Sequence, residues 1–574
     1  MAQKALKVAT VAEAYLALLA ERGVEYFFAN AGTDFAPIIE ALASAEATGR
    51  PAPKPMIAVH ENLAMSMAHG YAMVSGKVPA VMVHVSVGTA NAICGALNAA
   101  RENVPILFTA GRTPLTEEGL KGARDAYIHW GQEMYDQAGM LREIVKWDYE
   151  LRNAAQLETV VDRALALARS GPAGPVYLSL PREVLAAPLE EIRYEQPTRR
   201  VASADPRANE TALVEASGIL AAAENPLIVT TSAGRDPAAV PALAALAERF
   251  AIPVVQFSPR HLSLPCDHPM QLGFNPASLV AQADAVLVLE SDVPWIPSRV
   301  SPPAHARVIH LGLDPLFERY PIRGFLCDLA IAGSAAPALH ELAGLIASRT
   351  DPNRVEARRA RVQVLRAALA GEWRGLRDKM RAVRPIHPAW LSHCIAEVKG
   401  EDAIVVNEYT LMQEHCGFRR PGSFFGSSSA SGLGWGLGAA LGAKLASPER
   451  LVIATLGDGA YLFANPVAGH HASRLHKLPI LTVVFNNSMW NAVRRATLGM
   501  YPDGAAAKSN HPAFIQLEEL PAFERVCAAA GGYGECVEDP AELPAALKRA
   551  LDAVTRERRQ ALLNVVCQAP AGAI

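Results

Sequence analysis

The chain has 574 residues, which at roughly 150 per domain makes three or four compact units. Lysine plus arginine number 54 and aspartate plus glutamate 57, a formal net charge of −3, which excludes a strongly basic nucleic-acid surface and an acidic solvating tail. Apolar residues make up 51% and charged residues 19%, enough to bury a large core and to exclude a disordered chain.

The opening stretch MAQKALKVATVAEAYLALLAERGV carries Glu13, Glu21 and Arg22 within its apolar periodicity, and reads as an amphipathic helix rather than a signal peptide. Short apolar runs at 24–30, 55–60, 80–85, 105–111 and 175–181 then alternate with helix-length segments, the pattern of a parallel, doubly wound sheet. The polar stretch 190–209, with prolines and arginines, reads as a linker. A second set of strands is predicted at 226–231, 252–257, 285–291 and 306–314, followed by an Arg-laden helical segment at 349–369. A third set falls at 403–408, 451–459 and 480–487. The expectation is an α/β protein of three doubly wound domains with mainly parallel sheets, at 1–187, 205–345 and 370–574. The uncharged runs 78–100 and 421–443 are long enough for a membrane span but too broken by Gly, Ser, Pro and Asn to partition into lipid. Eight cysteines stand singly, without CxxC or zinc spacing. A reduced, cytoplasmic protein with no membrane or nucleic-acid partner is expected.

The strongest local signal is Gly457-Asp458-Gly459 directly after one predicted strand and Asn486-Asn487 directly after the next. A right-handed crossover puts both strand ends on one edge of the sheet, so Asp458 faces Asn487 while Gly459 lets the backbone approach an anion. A carboxylate and an amide oxygen suit Mg²⁺ held partly by phosphate oxygens and water; an Asx-turn at a capped strand end is the alternative. Glu61, between a strand and a helix, reads by itself as a helix-capping acid, and His84, at a strand end, as a core histidine. Gly434, Gly436 and Ala439 make one register of a dinucleotide fingerprint, but no strand precedes them; small residues there let a helix pack closely.

Together these pieces resemble the thiamine-diphosphate-dependent decarboxylases and carboligases, over essentially the whole chain. The resemblance extends to Gly-Pro-Val-Tyr-Leu-Ser-Leu-Pro at 174–181, which is similar to the end of the family's pyrimidine-binding domain. Within the family the local likeness is to the benzoylformate decarboxylases: Asn30-Ala-Gly-Thr-Asp34 resembles a strand-end loop in which Thr33 replaces an active-site serine, and His84 falls on a catalytic histidine. The segment Trp130-Gly-Gln-Glu133 is more like the acetolactate synthases; their flavin-contacting segment has no match in 289–295, so FAD is not expected.

The resemblance implies thiamine diphosphate and Mg²⁺ as cofactors and Glu61, His84 and Thr33 as the catalytic groups, with Glu61 exchanging a proton with the cofactor's aminopyrimidine. It implies cofactor contacts from Asn407, Thr410, Ser431, Leu433, Gly457, Asp458, Gly459, Ala460, Asn487 and Met489, with metal ligation by Asp458, the Asn487 side chain and the Met489 carbonyl. Gln132, Ala492, Val493 and Ala496 would line the substrate end. The implied activity is non-oxidative decarboxylation of a 2-oxo acid, with carboligation as a second outcome. The alternatives are an acetolactate-synthase-type carboligase acting on 2-oxo acids or aldehydes, or a 2-hydroxyacyl-CoA or benzaldehyde-type lyase. A homodimer or homotetramer with sites between subunits is implied as well.

Overall fold

A computed structural model describes residues 2–509 and 511–569. Three parallel sheets follow one another along the chain. The first has six strands, spatially Lys54–Ile57, Tyr26–Ala29, Ala80–Val83, Leu107–Arg112, Val176–Pro181 and Asp148–Glu150. The middle sheet has five: Val254–Gln256, Pro226–Thr230, Ala285–Leu289, Arg307–Gly312 and Leu329–Ala332. The third again has six: Phe424–Gly426, Ile404–Glu408, Val452–Gly457, Leu481–Asn486, Ala561–Val566 and Tyr533–Val537. The first and third sheets share one strand order, in which the opening strand lies second and the third lies beside it. Central strands such as Val452–Gly457 and Leu481–Asn486 are buried almost throughout, as expected where helices cover both faces.

Two expectations change. Only residues Val11–Glu21 of the opening stretch are helical; Ala2–Lys7 is a strand pairing antiparallel with Glu191–Gln196, which opens the stretch read as a linker. Its alternation of long polar and apolar residues fits a two-stranded ribbon as well as a helix, and its partner lies far away in sequence. The Arg-laden segment is the helix Pro352–Met380, and Arg358, 1% exposed, donates to the carbonyls of Leu220 (2.9 Å) and Ala221 (3.2 Å) at the end of the helix Glu210–Ala222. A cation there compensates the helix C-terminal carbonyls.

The first and third domains meet through two helices, Glu61–Ser75 and Trp435–Ala446. A β-carbon added to Gly70 would lie 1.9 Å from the Ala439 carbonyl oxygen, and one on Gly442 would lie 1.9 Å from that of Met67. The two backbones therefore touch, which is what the small residues after Ser431 permit. All three domains also converge on a buried polar chain: Glu102 lies 3.1 Å from Arg260, which pairs with Asp292 at 2.8 Å, and the Tyr320 hydroxyl reaches both Asp292 and Ser429 at 2.8 Å. Among the described residues no helix is long and apolar enough to cross a membrane.

Gly70→Ala is expected to cost about 1–3 kcal/mol, because neither backbone can yield cheaply. Gly218→Ala, in the helix Glu210–Ala222 with nothing within 4 Å of the added carbon, should instead gain about 0.5–1 kcal/mol. Urea unfolding midpoints of the two variants measure the contrast.

Candidate active site

The first group of site residues gathers at the strand ends of the first sheet. His60 caps the helix Glu61–Ser75, its ring nitrogen Nδ1 accepting from the Asn62 amide at 3.2 Å. Glu61 is thereby released from the capping role. Its carboxylate, 9% exposed, accepts from Asn30 Nδ2 at 2.8 Å on one oxygen and from Asn91 Nδ2 at 2.7 Å on the other. Each oxygen keeps a second lone pair. Asn30 comes from the loop after Tyr26–Ala29, and Asn91 from the helix Val85–Arg101, so two elements fix where the carboxyl points.

His84 ends the neighbouring strand and immediately precedes that helix. Its Nδ1 lies 2.5 Å from Asp34 Oδ1, while Asp34 Oδ2 accepts from the Val85 amide at 3.3 Å. The contact depends on two glycines: a β-carbon on Gly32 would fall 2.2 Å from the His84 ring, and one on Gly111 would fall 1.8 Å from Asp34. The buried Asp34 carboxylate raises the His84 pKa by its hydrogen bond, against burial, which lowers it. With Nδ1 turned to Asp34, Nε2 is left facing Gln132, whose Nε2 lies 3.2 Å away. Gln132 Oε1 is buried without a hydrogen-bond partner among the described residues, so rotating the amide would offer an acceptor to a protonated ring. Thr33 stands exposed beside this pair, one residue before the side chain that holds His84.

The second group gathers at the equivalent edge of the third sheet. Asp458, 3% exposed, begins the short helix Asp458–Phe463; its two oxygens accept from the Gly459 amide at 2.7 Å and the Asn487 amide at 3.0 Å. Burial raises its pKa, opposed by the backbone amides of Gly459, Ser488, Asn487 and Met489. A cation bound beside a carboxylate so placed would compensate its burial. Asn487 Oδ1 accepts from the Met489 amide at 3.1 Å, so the Asx-turn reading describes this loop too. The donor set of Asp458, Asn487 and the Met489 carbonyl is all oxygen, which suits a hard divalent ion. Gly459 packs against Trp490, where a β-carbon would lie 2.1 Å from the indole.

Around this edge, Tyr409 and Thr410 take left-handed φ of +66° and +78°. For a β-branched threonine that is an outlier costing on the order of 1–3 kcal/mol, and such strain concentrates at ligand sites. Thr410 lies against Gly457, while Asn407 Oδ1 accepts from Thr455 Oγ1 at 2.9 Å. Ala460 is buried behind Asp458, Ser431 is exposed at φ +51°, and Leu433 is half-buried between Ser431 and Gly434. Glu408 accepts from the amides of Gly434 (2.8 Å) and Gly436 (2.6 Å), and burial pushes its pKa up to about 7. Ala492, Val493 and Ala496 lie on exposed positions of the helix Asn491–Met500.

No hydrogen bond or ion pair given for the described residues joins Glu61 to Asp458; each is held within its own domain. Sequence reasoning named Glu61 and His84 but not their holders Asn30, Asn91 and Asp34, although Asn30 and Asp34 lie in a motif that carries the resemblance.

The thiamine pyrophosphate enzyme domains match the chain in order: the N-terminal TPP binding domain over residues 9–140, the central domain over 213–342 and the C-terminal TPP binding domain over 406–565. The chain belongs to the thiamine pyrophosphate enzymes. It is 26% identical to a sulfoacetaldehyde acetyltransferase of Castellaniella defragrans, over 97% of this chain and 93% of that one. Identity is also 26% to an acetolactate synthase large subunit of Lactococcus lactis (85% and 82% covered) and 27% to a benzoylformate decarboxylase of Pseudomonas aeruginosa (95% and 97% covered). Among solved structures, a 4-hydroxybenzoylformate decarboxylase of Rhodococcus jostii shares the fold with a TM-score of 0.77 at 23% identity, over 98% of this chain and 100% of that one.

Asp34→Asn is expected to lower the His84 pKa, since the amide no longer favours the protonated ring as the carboxylate does. Because the native pairing raises this pKa, its stabilising contribution is complete below the ordinary imidazole range and is lost as pH rises through the raised value. Histidine-labelled NMR titration of the two proteins reads the shift directly; coincident His84 curves would contradict the assignment.

Proposed function

We propose that this enzyme uses thiamine diphosphate with Mg²⁺ to decarboxylate a 2-oxo acid bearing a bulky apolar or aromatic group, releasing the aldehyde. The observation that carries the reading is the buried Glu61 carboxylate, oriented by two asparagine amides beside the Asp34-backed His84. When bound, the cofactor supplies the electron sink for the carbon–carbon bond that breaks. Glu61 exchanges a proton with the aminopyrimidine ring nitrogen, and Asn30 and Asn91 keep its carboxyl from turning away. His84 moves a proton at Nε2, steadied by Asp34 on Nδ1, and Gln132 orients the substrate beside it. Thr33 contacts the substrate carboxylate. Asp458, the Asn487 side-chain oxygen and the Met489 carbonyl hold the metal, while Asn407, Thr410, Gly457, Gly459 and Ala460 surround the diphosphate. Leu433 and the Ser431 carbonyl support the cofactor's rings, and Ala492, Val493 and Ala496 leave room at the substrate end. No flavin takes part.

The site is proposed to join the first domain of one subunit to the third domain of another, in a homodimer or a doubled dimer. Exposed apolar side chains at both edges support this, Ile57 (55%), Val59 (49%) and Val87 (51%) near Glu61, and Phe463 (55%) and Val493 (45%) near Asp458, because a second copy would cover them. Transfer of the acyl group to a second carbonyl is the competing outcome. It is favoured by Gln132 standing on His84, in the segment that resembles the acetolactate synthases, and by the transferase names among the relatives.

Replacing a methyl by a phenyl group in a pocket that holds it buries on the order of 100 Å² more, roughly 2–3 kcal/mol. Phenylglyoxylate is therefore expected to exceed pyruvate by about 30- to 150-fold in kcat/KM, with carbon dioxide and aldehyde released in equal amounts. Chelation should abolish turnover and Mg²⁺ restore it. Glu61→Gln should cut turnover by about 10²–10⁴ while retaining the cofactor. Pyruvate as the better substrate, with acetolactate as the main product, would replace this reading by the carboligase.

A further inference from the structure

The helix Val85–Arg101 carries a polar stripe that the chemistry above uses only in part. His84, Asn91 and Asn98 are spaced by seven residues, close to two turns, so they fall along one side of the helix axis. His84 and Asn91 serve the first domain's catalytic groups. Asn98 turns to the third domain instead. It is 1% exposed, and its Oδ1 accepts from Ser428 Oγ at 2.8 Å and from the Gly432 amide at 3.0 Å, while its Nδ2 donates to the Gly432 carbonyl at 2.8 Å. Every side-chain bond given for this buried amide therefore ends on the segment 428–432, which leads directly into Leu433. Gly432 sits so close that a β-carbon would lie 2.6 Å from Cys94 Sγ and 2.8 Å from Asn98 Nδ2. Ser431, next to it, is held at φ +51°.

We propose that Asn98 is a positioning residue for the cofactor's ring-supporting segment Ser431–Leu433. It grips both backbone groups of Gly432, and so fixes Ser431 and Leu433 at a set distance from the helix that orients Glu61 through Asn91. Seven residues at 1.5 Å each put that grip about 10 Å along the helix from Asn91. A helix is stiff over this length, so one rod ties the ring support to Glu61 of the same chain, which in the proposed dimer serves the neighbouring site. A residue serving only to glue two domains needs no hydrogen bonds aimed at a strained tripeptide. Leucine or alanine would pack there more simply, as Ala92, Ala96 and Ala99 do elsewhere on this helix.

The inference rests on the proposed function, and two readouts keep the two apart. In metal- and cofactor-free protein, amide hydrogen exchange of peptides spanning 427–434 should quicken about tenfold or more in Asn98→Ala, as the bonds to Gly432 are lost, while peptides spanning 457–463 stay unchanged. In protein loaded with thiamine diphosphate and Mg²⁺, exchange of the cofactor C2 proton should slow by about 10- to 100-fold, with cofactor affinity unchanged. Asn98→Asp, which keeps the oxygen accepting from Ser428 and Gly432 but sets its second oxygen against the Gly432 carbonyl, should also quicken exchange at 427–434 and slow C2 exchange. Gly432→Ala, whose β-carbon would push Asn98 and Cys94 away, should reproduce the loss with residue 98 unsubstituted, and these two variants carry the test if Asn98→Ala does not fold. Unaltered exchange at 427–434, or altered exchange there with C2 exchange at the parental rate, would overturn the proposal. Absence of C2 exchange in the parent would instead overturn the proposed function and leave the amide readout to judge Asn98.

Discussion

The arrangement depends on the direct contact between the helices Glu61–Ser75 and Trp435–Ala446. At Gly70 and Gly442 each helix presses a bare backbone against the other's carbonyl, leaving no thickness of side chain to adjust. Interiors packed this closely transmit displacement rather than absorb it. The contact matters because of what stands at the N-terminal ends of the two helices. Glu61 begins the first. Ser431 and Leu433 lead into the second, whose opening amides are held by the buried Glu408. Sliding one helix along the other would move the carboxyl proposed for one site of the dimer relative to the ring support proposed for the other.

The two groups of site residues are variations on one scaffold. The first and third sheets have the same strand order, and each puts an acid at the start of the helix or turn after a strand. The environments then diverge. Glu61 receives two side-chain amides from elements distant in sequence, whereas Asp458 receives backbone amides from its own turn and the neighbouring strand end. The first pattern orients a carboxyl without opposing it by charge. The second surrounds a desolvated carboxylate with backbone amides, which supports the proposed division of labour between a proton-exchanging acid and a metal ligand.

Much of this was legible in the sequence because central parallel strands are buried on both faces and read as uninterrupted apolar runs. Several strands were not read: Asp148–Glu150 is half-exposed throughout, Leu329–Ala332 buries a single residue fully, and Phe424–Gly426 has three residues. The buried strand Ala561–Val566 was passed over as well, although the short edge strands Lys54–Ile57 and Val254–Gln256 were found. The ribbon Ala2–Lys7 was masked by a partner nearly two hundred residues away. At the site, Asp458 and Asn487 could be read from strand-end position, whereas Glu61 read by position as a helix-capping acid and came forward only through the resemblance. Asn30, Asn91, Asp34 and Asn98 could not, since an asparagine or aspartate in a loop or helix announces no partner until the fold supplies one. The repeated sheet order was also silent, because it is a likeness of topology without a likeness of residues.

The central claim is that Glu61 and Asp458, held in separate domains of one chain, act in a single site completed by a second copy. Mixing inactive Glu61→Gln with inactive Asp458→Ala subunits under conditions of proven exchange tests it most directly. A twofold interface pairs the intact Glu61 of one subunit with the intact Asp458 of the other, so each mixed dimer should carry one native site in two and activity should return. No recovery, with mixed dimers demonstrated by mass, would mean that each site lies within one chain and would contradict the account.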